Sequence, residues 1–338
     1  MAAGRRRKRK TGGKIRDAMM NALLPPLLWV IGCCSERTLR RIAALGANLA
    51  RVFYPGGLRL IEANLAIALS ELTAPARRRL AVDNLLHTLW MGLDVISNLS
   101  HPERLRSRVV APDPQLYAND SGKPFILCLP HLGNWELFGQ AAPLFGIKSA
   151  AVAKTFSNRK LTELVFKARE SNGLEIIPHQ GAARGVLAAL RNGRNIGLLI
   201  DQNVSPSRGG IYASFFGLPA PTSRLPAMLA RRLDLPVLIG TCVRGDDGLL
   251  HFDSEPLAKA VADYADDASL TQDILHATEA LVKRHPEQYI WLYRRWRRIP
   301  GNTPAEVAGR FPYYAEARPE HCPEELFQAP APHTLPTE

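Results

Sequence analysis

Cysteine is scarce in this chain of 338 residues, and its five copies are poorly placed for pairing. Cys33 and Cys34 are adjacent, which is too close for an ordinary disulfide, while Cys128, Cys242 and Cys322 stand far apart. The sequence therefore contains neither a disulfide framework nor a zinc-ligand spacing. We interpret all five as reduced thiols of a protein that faces a reducing compartment.

Several catalytic motifs are also missing. The sequence has no Gly-x-Ser-x-Gly elbow, no P-loop and no dinucleotide fingerprint. The residues that are present call for no metal and no redox cofactor. The length suits one large domain or two small ones, and the apolar fraction of 46% is sufficient for a core.

Acidic residues are almost absent from the first 17 positions. This segment carries +7 of the net charge of +12, from eight basic side chains against Asp17, which leaves +5 for the remaining chain. Like charges repel and nothing apolar is available to pack, so residues 1–17 are predicted to be a flexible basic arm. A basic run of this kind can bind anionic lipid, and it can also bind nucleic acid or act as a nuclear signal.

Residues 18–34 contain no charge at all. Their length is at the lower limit for crossing a bilayer, and Pro25-Pro26 would kink a spanning helix. We predict a membrane anchor, spanning or re-entrant, with the basic arm on the cytoplasmic side. A helix lying in the membrane interface and a plain core helix are the alternatives.

Residues 35–110 show helical periodicity, interrupted at Pro55-Gly56-Gly57. From residue 124 onward short apolar runs alternate with helical segments, which predicts an α/β fold with a mainly parallel central sheet covered by helices. The predicted domain spans 35–313, and a tail rich in Pro, Glu and Ala at 314–338 is predicted to be disordered. The predicted strands are 125–129, 149–153, 174–177, 196–200, 236–243 and 249–255, and the predicted helices are 136–144, 158–172, 181–192, 227–234 and 271–285.

The most informative stretch is 125–136, where an apolar run ends at Pro130 and His131 follows at once. His131 is thus predicted at the carboxyl end of a buried strand, where sites in open α/β sheets gather. Glu136 comes five positions later, after a turn at Gly133-Asn134. A neutral imidazole beside a carboxylate can remove a proton from a hydroxyl. The alternative is a helix-capping histidine with a solvated Glu136.

Two other polar groups are candidates for the same site. Asp201-Gln202-Asn203 follows the strand at 196–200, although an Asx turn leaving a strand explains it locally. Arg169 lies on the helix at 158–172, where it is either a solvated surface residue or a paired donor to a phosphate or an oxyanion.

Two aromatic segments are also distinctive. The Gly/Pro-rich loop 205–224 contains Phe215-Phe216, which either wall an apolar substrate or anchor the loop to the core. Residues 286–298 interleave aromatics with arginines, a pattern typical of a single-stranded nucleic-acid platform or of a membrane-surface belt.

Through these motifs the chain resembles the bacterial lipid A acyltransferases, the lauroyl and myristoyl transferases of the glycerolipid acyltransferase group. Their His-x4-Asp/Glu signature appears as His131-Leu-Gly-Asn-Trp-Glu136, and the resemblance extends from about Arg59 to Arg298. Tyr293 stands where many relatives carry His, and the basic arm and the tail lie outside the family pattern. The other matching motifs are Asn64-Leu65, Asn158 with Arg169 and Gly173, Asp201-Gln202, Phe215-Phe216-Gly217, Pro221-Thr222 and Pro286-x-Gln288-Tyr-x-Trp291-x-Tyr-Arg-Arg-Trp.

The resemblance implies transfer of a fatty acyl chain from acyl carrier protein to a hydroxyl of a lipid A precursor, at the cytoplasmic face of the cell inner membrane. His131 is then the general base and Glu136 holds its imidazole. The remaining implied roles are oxyanion or phosphate binding by Gly133, Asn134 and Arg169, orientation of Arg169 by Asp201, support by Asn64, and an acyl-chain wall of Phe215 and Phe216.

Two other functions remain open on the sequence alone. Relatives with the same signature use acyl-CoA to acylate another membrane glycolipid, such as a phosphatidylinositol mannoside. A membrane-tethered nucleic-acid-binding protein would use the basic arm and the arginine-rich stretch, but it leaves His131 and Glu136 unexplained, and we expect no nucleic-acid partner.

Overall fold

The structure is a computed structural model that describes residues 19–112 and 122–328. The predicted basic arm at 1–17 and the last ten positions of the predicted tail lie outside the described residues.

A helical layer occupies the first third of the chain, as the periodicity of 35–110 predicts. The side chain of Ser35 accepts a hydrogen bond from the Thr38 backbone N–H and so caps the second helix. That helix ends just before Pro55, which occupies the first turn of the next one, as the predicted break requires. The helices are α1 (Met19–Gly32), α2 (Glu36–Phe53), α3 (Pro55–Ala68), α4 (Ala74–Ser100) and α5 (Leu105–Arg108).

A six-stranded sheet forms the centre of the fold, with the strand order β3-β2-β4-β1-β7-β8. All its neighbours run parallel except β7 and β8, which pair antiparallel. The predicted α/β class with a mainly parallel sheet is therefore confirmed. The sheet strands are β1 (Ile126–Leu129), β2 (Ser149–Ala153), β3 (Glu175–Pro178), β4 (Asn195–Leu199), β7 (Val237–Arg244) and β8 (Leu250–Glu255).

Helices cover both faces of this sheet. Ile126 and Cys128 of β1 belong to one apolar cluster, whereas Leu127 and Leu129 belong to another on the opposite face. Both faces are apolar because alternate side chains of a strand point to opposite sides. The covering helices are α6 (Trp135–Ala141), α7 (Arg159–Glu170), α8 (Ala182–Arg191), α9 (Leu225–Leu233), α10 (Asp267–Arg284) and the short α11 (Ala305–Ala308).

The loop predicted at 205–224 is a β-hairpin instead, built from β5 (Gly210–Phe215) and β6 (Leu218–Ser223). Its two-residue turn is Phe216-Gly217, and both residues have positive φ, at 49° and 72°. Such turns match the twist of a hairpin. Pro219 and Pro221 lie within β6, and proline in a sequence argues against a strand unless the strand is at an edge.

The arginine-rich stretch at 286–298 is only partly exposed, and Arg294 and Arg297 are its exposed residues. Trp291, Trp296 and Arg295 are almost completely buried. Their rings and guanidinium are therefore unavailable for stacking on bases or for lying at a membrane surface, so neither interpretation holds for these three residues.

The tail begins later than residue 314. Tyr314 is buried and its hydroxyl hydrogen-bonds to the side chain of Asn64. The short strand β10 (Glu316–Ala317) pairs with β9 (Arg298–Ile299), and Cys322 is buried. Residues 314–328 thus pack on the domain, which corrects the prediction of disorder for this part.

The predicted anchor helix is not confirmed. In the described ranges, no single helix combines the length and the apolar composition that crossing a bilayer requires. Only α1 and α2 taken together pass that test, and they are bent by 120° relative to each other.

Candidate active site

His131 lies at the carboxyl edge of the sheet, as predicted, and its partner there is Asp201. The two residues follow the neighbouring strands β1 and β4. The Nδ1 atom of His131 is 2.6 Å from Oδ1 of Asp201, and the His131 backbone N–H donates to Oδ2 at 2.8 Å. Both side chains are buried. Asp201 therefore fixes the imidazole with Nδ1 as the donor, which leaves the lone pair on Nε2.

Burial and charge oppose each other in this pair. Burial alone lowers the pKa of His131, but the charge of Asp201 and its hydrogen bond outweigh burial, and the pKa is raised above its ordinary value. Burial likewise raises the pKa of Asp201, yet the charge and the hydrogen bonds of His131 prevail and the pKa is lowered. Asp201 is therefore an ionised carboxylate that stabilises the protonated imidazole.

Tyr289 and Arg295, from the segment 286–298, lie close to the Asp201 carboxylate. Tyr289 is buried against it, and burial together with the Asp201 charge and a hydrogen bond to its carboxylate raises the pKa of the phenol. Arg295 adds a buried positive charge that favours the Asp201 carboxylate. Its guanidinium is held by Asn203 Oδ1 at 2.8 Å and by the carbonyl oxygen of Pro221 in β6 at 2.8 Å.

Glu136 does not hold the imidazole, which corrects the predicted contact. Its carboxylate instead accepts two hydrogen bonds from Arg169, from Nε and from one Nη atom, both at 2.8 Å. Gln140 Nε2 donates to the same carboxylate at 3.0 Å. Glu136 lies in the first turn of α6 and Arg169 in the last turn of α7, so each charge is also favoured by its helix dipole.

Arg169 is therefore oriented by Glu136. The family resemblance implied that Asp201 has this role, and that expectation is wrong. The physical reason is the turn at 131–134, which directs His131 toward β4 while Glu136 starts a helix that faces α7. A chain of polar contacts continues from Gln140 to Asn98 of α4, where Asn98 Nδ2 donates to Gln140 Oε1 at 2.8 Å. The Glu136–Arg169 pair thus joins α6 to α7, and the Gln140–Asn98 bond joins α6 to α4.

The backbone N–H groups of Gly133 and Asn134 are not free oxyanion donors. The N–H of Gly133 donates to the Gln288 carbonyl at 3.0 Å, and that of Asn134 donates to the Cys242 carbonyl at 2.6 Å. Gly133 has φ +60°, and a Cβ at this position would lie 2.1 Å from the Cys242 carbonyl oxygen. This close approach explains the glycine as a packing requirement.

Phe215 and Phe216 belong to the core, so they do not form a wall beside the imidazole. Phe215 is fully buried and stacks on Trp296 with 5.8 Å between ring centroids. Phe216 packs edge-on against Phe215 and is also buried. The anchoring interpretation of the hairpin aromatics is therefore the one that fits.

Asn64 of α3, which the resemblance implies as a supporting residue, and Asn84 of α4, which the sequence did not indicate, both bind the backbone of the segment 286–298. Asn64 Nδ2 donates to the carbonyls of Trp291 and Tyr293 at 2.6 and 3.0 Å. Asn84 Nδ2 donates to the carbonyl of Tyr289 at 2.5 Å. These buried amides hold the segment that carries Tyr289 and Arg295.

The open face of the imidazole is contacted by two side chains. The Trp135 ring packs against it edge-on, with 4.7 Å between centroids. The side-chain nitrogen of Gln202, an exposed residue, lies 3.2 Å from Nε2. The arrangement can therefore accept a proton at Nε2 while Asp201 stabilises the cation that results, which is general-base chemistry on a hydroxyl.

Asp201, Tyr289, Arg295 and Asn84 are the functional residues that sequence reasoning missed or assigned differently. Asp201 carried a usable signal, because it directly follows a predicted strand, as His131 does. The other three come from segments whose packing only the tertiary structure shows.

Comparison with known proteins shows which chains this sequence is similar to. Similarity to phosphatidylinositol mannoside acyltransferase of Mycobacterium tuberculosis (strain CDC 1551 / Oshkosh) is 27% identity over 180 residues, 52% of this chain and 55% of that protein. For the protein of the same name from Mycolicibacterium smegmatis, the identity is 26% over 183 residues, 53% and 59% of the two chains. The chain thus spans little more than half the length of these curated relatives.

A far longer match comes from a family model. The model of the bacterial lipid A biosynthesis acyltransferases matches residues 14–298, which include all of the site described above. The chain belongs to the bacterial lipid A biosynthesis acyltransferase family.

Proposed function

We propose that this protein is an acyltransferase, which moves a fatty acyl chain from acyl carrier protein to a hydroxyl of a lipid A precursor in lipopolysaccharide biosynthesis. The observation that carries the proposal is the buried His131–Asp201 pair at the carboxyl edge of the sheet, in a chain that matches the lipid A family over 14–298. The net charge of +12 is complementary to both partners, because acyl carrier protein is acidic and lipid A carries phosphates.

In the proposed reaction His131 Nε2 takes the proton of the lipid hydroxyl as its oxygen attacks the thioester carbonyl. The carbonyl oxygen becomes the oxyanion of a tetrahedral intermediate. As this collapses, the carbon–sulfur bond breaks and the Nε2 proton passes to the departing thiolate. Asp201 stabilises the imidazolium between the two steps. The ester and the free thiol are the products, and no covalent enzyme intermediate is needed.

In this proposal Glu136 is a positioning residue. With Arg169 it fixes the start of α6, and therefore the turn that presents His131 and Trp135.

A second candidate is acylation of another membrane glycolipid with acyl-CoA as the donor. The names of the curated relatives favour it, since they describe phosphatidylinositol mannoside acyltransferases. The purified enzyme offered each donor, at matched chain length, with each acceptor separates the two candidates by mass spectrometry of the products. Ester formation on the lipid A precursor from the acyl carrier protein thioester supports the first. Product only from acyl-CoA and the mannoside assigns the second.

We also propose that the protein sits on the cytoplasmic leaflet of the inner membrane through α1 and α2 rather than crossing it. One side of α1 packs on the domain. Asn158 Nδ2 donates a hydrogen bond to Asn21 Oδ1, and the Ser100 hydroxyl donates to the Leu28 carbonyl. The other side of α1 and the outer face of α2 expose large apolar side chains. These are Met19, Leu23, Leu27, Trp29, Val30, Ile42, Leu45, Leu49, Val52 and Phe53.

The positive charge on α2 supports the proposal that the exposed apolar face of α1 and α2 binds a lipid surface. Arg37, Arg40, Arg41 and Arg51 lie on α2, and arginines at the border of an apolar face reach the headgroups of anionic lipid. Replacing Val52 and Phe53 together by Asp should release the protein from phosphatidylglycerol vesicles, whereas the control Leu187→Asp, at an exposed leucine of α8, should not. Equal sedimentation of the wild type, the double variant and the control with vesicles would contradict membrane binding through α1 and α2.

A further inference from the structure

The tetrahedral oxyanion of acyl transfer needs hydrogen-bond donors, and the expected ones are engaged elsewhere. The N–H groups of Gly133 and Asn134 donate to backbone carbonyls. Arg169 uses Nε and one Nη atom on Glu136. These four N–H groups therefore already have acceptors in the structure.

Gln202 is the donor that lies next to the base. Its side-chain nitrogen is 3.2 Å from His131 Nε2, and within the described ranges this is the hydrogen bond that its side chain makes. The residue is exposed and directly follows Asp201, so its amide stands at the solvent side of the imidazole.

The protonation state of the imidazole decides what the amide does. In the resting enzyme Nδ1 donates to Asp201, so the lone pair is on Nε2 and the NH₂ group of Gln202 donates to it. Once Nε2 has taken the proton of the attacking hydroxyl, it is itself a donor, and two donors cannot bond to each other. The Gln202 amide therefore cannot bond to Nε2 while the oxyanion exists.

We propose that Gln202 is a catalytic residue whose side-chain amide donates to the oxyanion of the tetrahedral intermediate. The hydroxyl oxygen first displaces the amide from Nε2. It then bonds to the carbonyl carbon as its proton moves to Nε2, and the negative charge develops on the carbonyl oxygen. That oxygen is attached to the carbon that the hydroxyl oxygen attacks, so it forms beside the displaced amide. The inference rests on the proposed acyl transfer.

Substitution of Gln202 should affect the transition state and leave the ground state unchanged. In enzymes that transfer acyl groups through a tetrahedral intermediate, loss of one side-chain oxyanion donor lowers kcat by about 10²- to 10³-fold. We expect Gln202→Ala to lower kcat by about this factor, with the KM for the acyl donor and the urea midpoint of unfolding unchanged. Gln202→Glu should lower kcat further, because a carboxylate repels the oxyanion. Gln180→Ala, at another exposed glutamine, is the matched control and should keep the wild-type kcat.

Two inhibitors distinguish oxyanion binding from mere shielding of the base. A phosphonate analogue of the acyl donor carries charged oxygens like those of the intermediate, whereas a thioether analogue has no carbonyl oxygen. For Gln202→Ala, the phosphonate should bind more weakly by about the factor lost in kcat/KM, and the thioether should bind as it does to the wild type.

A kcat for Gln202→Ala within threefold of the wild type, or above it, would overturn the proposal, and so would equal weakening of both inhibitors. Failure of the proposed function is a different result, because the wild-type enzyme would then acylate neither the lipid A precursor nor another glycolipid. Gln202 is thus tested only against a wild-type enzyme whose turnover has been measured.

Discussion

His131 and Asp201 stand at equal distances beyond the last paired residues of their strands. Leu129 of β1 is level with Leu199 of β4, and each site residue follows two positions later. Parallel pairing therefore delivers both side chains to the same level of the sheet edge, and the two hydrogen bonds between them follow from this register.

This relationship predicts a specific pH dependence. His131 must be neutral to accept a proton, and its pKa is raised by Asp201 against the effect of burial. Activity of the wild type should therefore increase with pH through a midpoint above the ordinary histidine value of about 6.5. Asp201→Asn removes the charge, so burial dominates and the midpoint should shift to lower pH, while kcat falls because the tautomer is no longer fixed. An unchanged midpoint in kcat/KM would count against this account of the pair.

The pair of Glu136 and Arg169 should affect stability more than proton transfer. Both side chains are about one-sixth exposed. We expect Glu136→Gln to lower the free energy of unfolding by about 1–3 kcal/mol, measured in urea, because a partly buried Arg169 loses its counter-charge. The pH midpoint of kcat/KM should remain that of the wild type.

The control for this substitution is Glu163→Gln. Glu163 pairs with Arg159 on the surface of α7, where both side chains are mostly exposed, and exposed pairs of this kind contribute little. A shift of the pH midpoint in Glu136→Gln as large as that in Asp201→Asn would restore Glu136 as the partner of the imidazole.

Stability should also decline with pH because of Glu279 on α10. Burial raises the pKa of this carboxyl to about 7, despite the Phe216 N–H that it accepts and the nearby Lys283. The folded chain then keeps a proton that the unfolded chain releases above about pH 4.5. The contribution of this group is therefore fully present below pH 4.5 and is lost between about 4.5 and 7.

The variant Glu279→Gln isolates this effect, since it does not titrate and still accepts the Phe216 hydrogen bond. The free energy of unfolding of the wild type minus that of the variant should fall by about 2–3 kcal/mol between pH 4.5 and 7.5. A difference that is constant over this range would contradict the raised pKa.

Phe215 provides a test of its place in the core. The ring is fully buried on Trp296. Phe215→Leu should lower the free energy of unfolding by about 1–2 kcal/mol through imperfect packing. The preference of the enzyme among acyl donors of different length should stay that of the wild type. A changed preference at unchanged stability would instead place the ring beside the acyl chain.

The sheet was predictable from the sequence because each of its strands is encoded by a short, continuous apolar segment. Short apolar runs such as 125–129 that alternate with helical segments are typical of buried parallel strands, and polar residues that follow such strands gather at one edge of the sheet. His131 and the neighbourhood of Asp201 follow from that argument alone.

Partners across the fold were not predictable in this way. Glu136 follows a turn, and sequence spacing does not reveal whether it faces His131 or the end of α7. The hairpin was hidden by Pro219 and Pro221, which are compatible with a strand only in an edge position. The hydrogen bond from Asn84 Nδ2 to the Tyr289 carbonyl joins residues 205 positions apart, so no local sequence pattern indicates it.

The most direct test of the central claim is acyl transfer by purified His131→Ala, measured as product formed per enzyme by mass spectrometry with the wild-type protein alongside. The account predicts a fall of about 10²- to 10⁴-fold, the contribution of a positioned general base, with vesicle binding through α1 and α2 retained. Transfer at close to the wild-type rate would contradict it, because the proton would then leave the hydroxyl by another route.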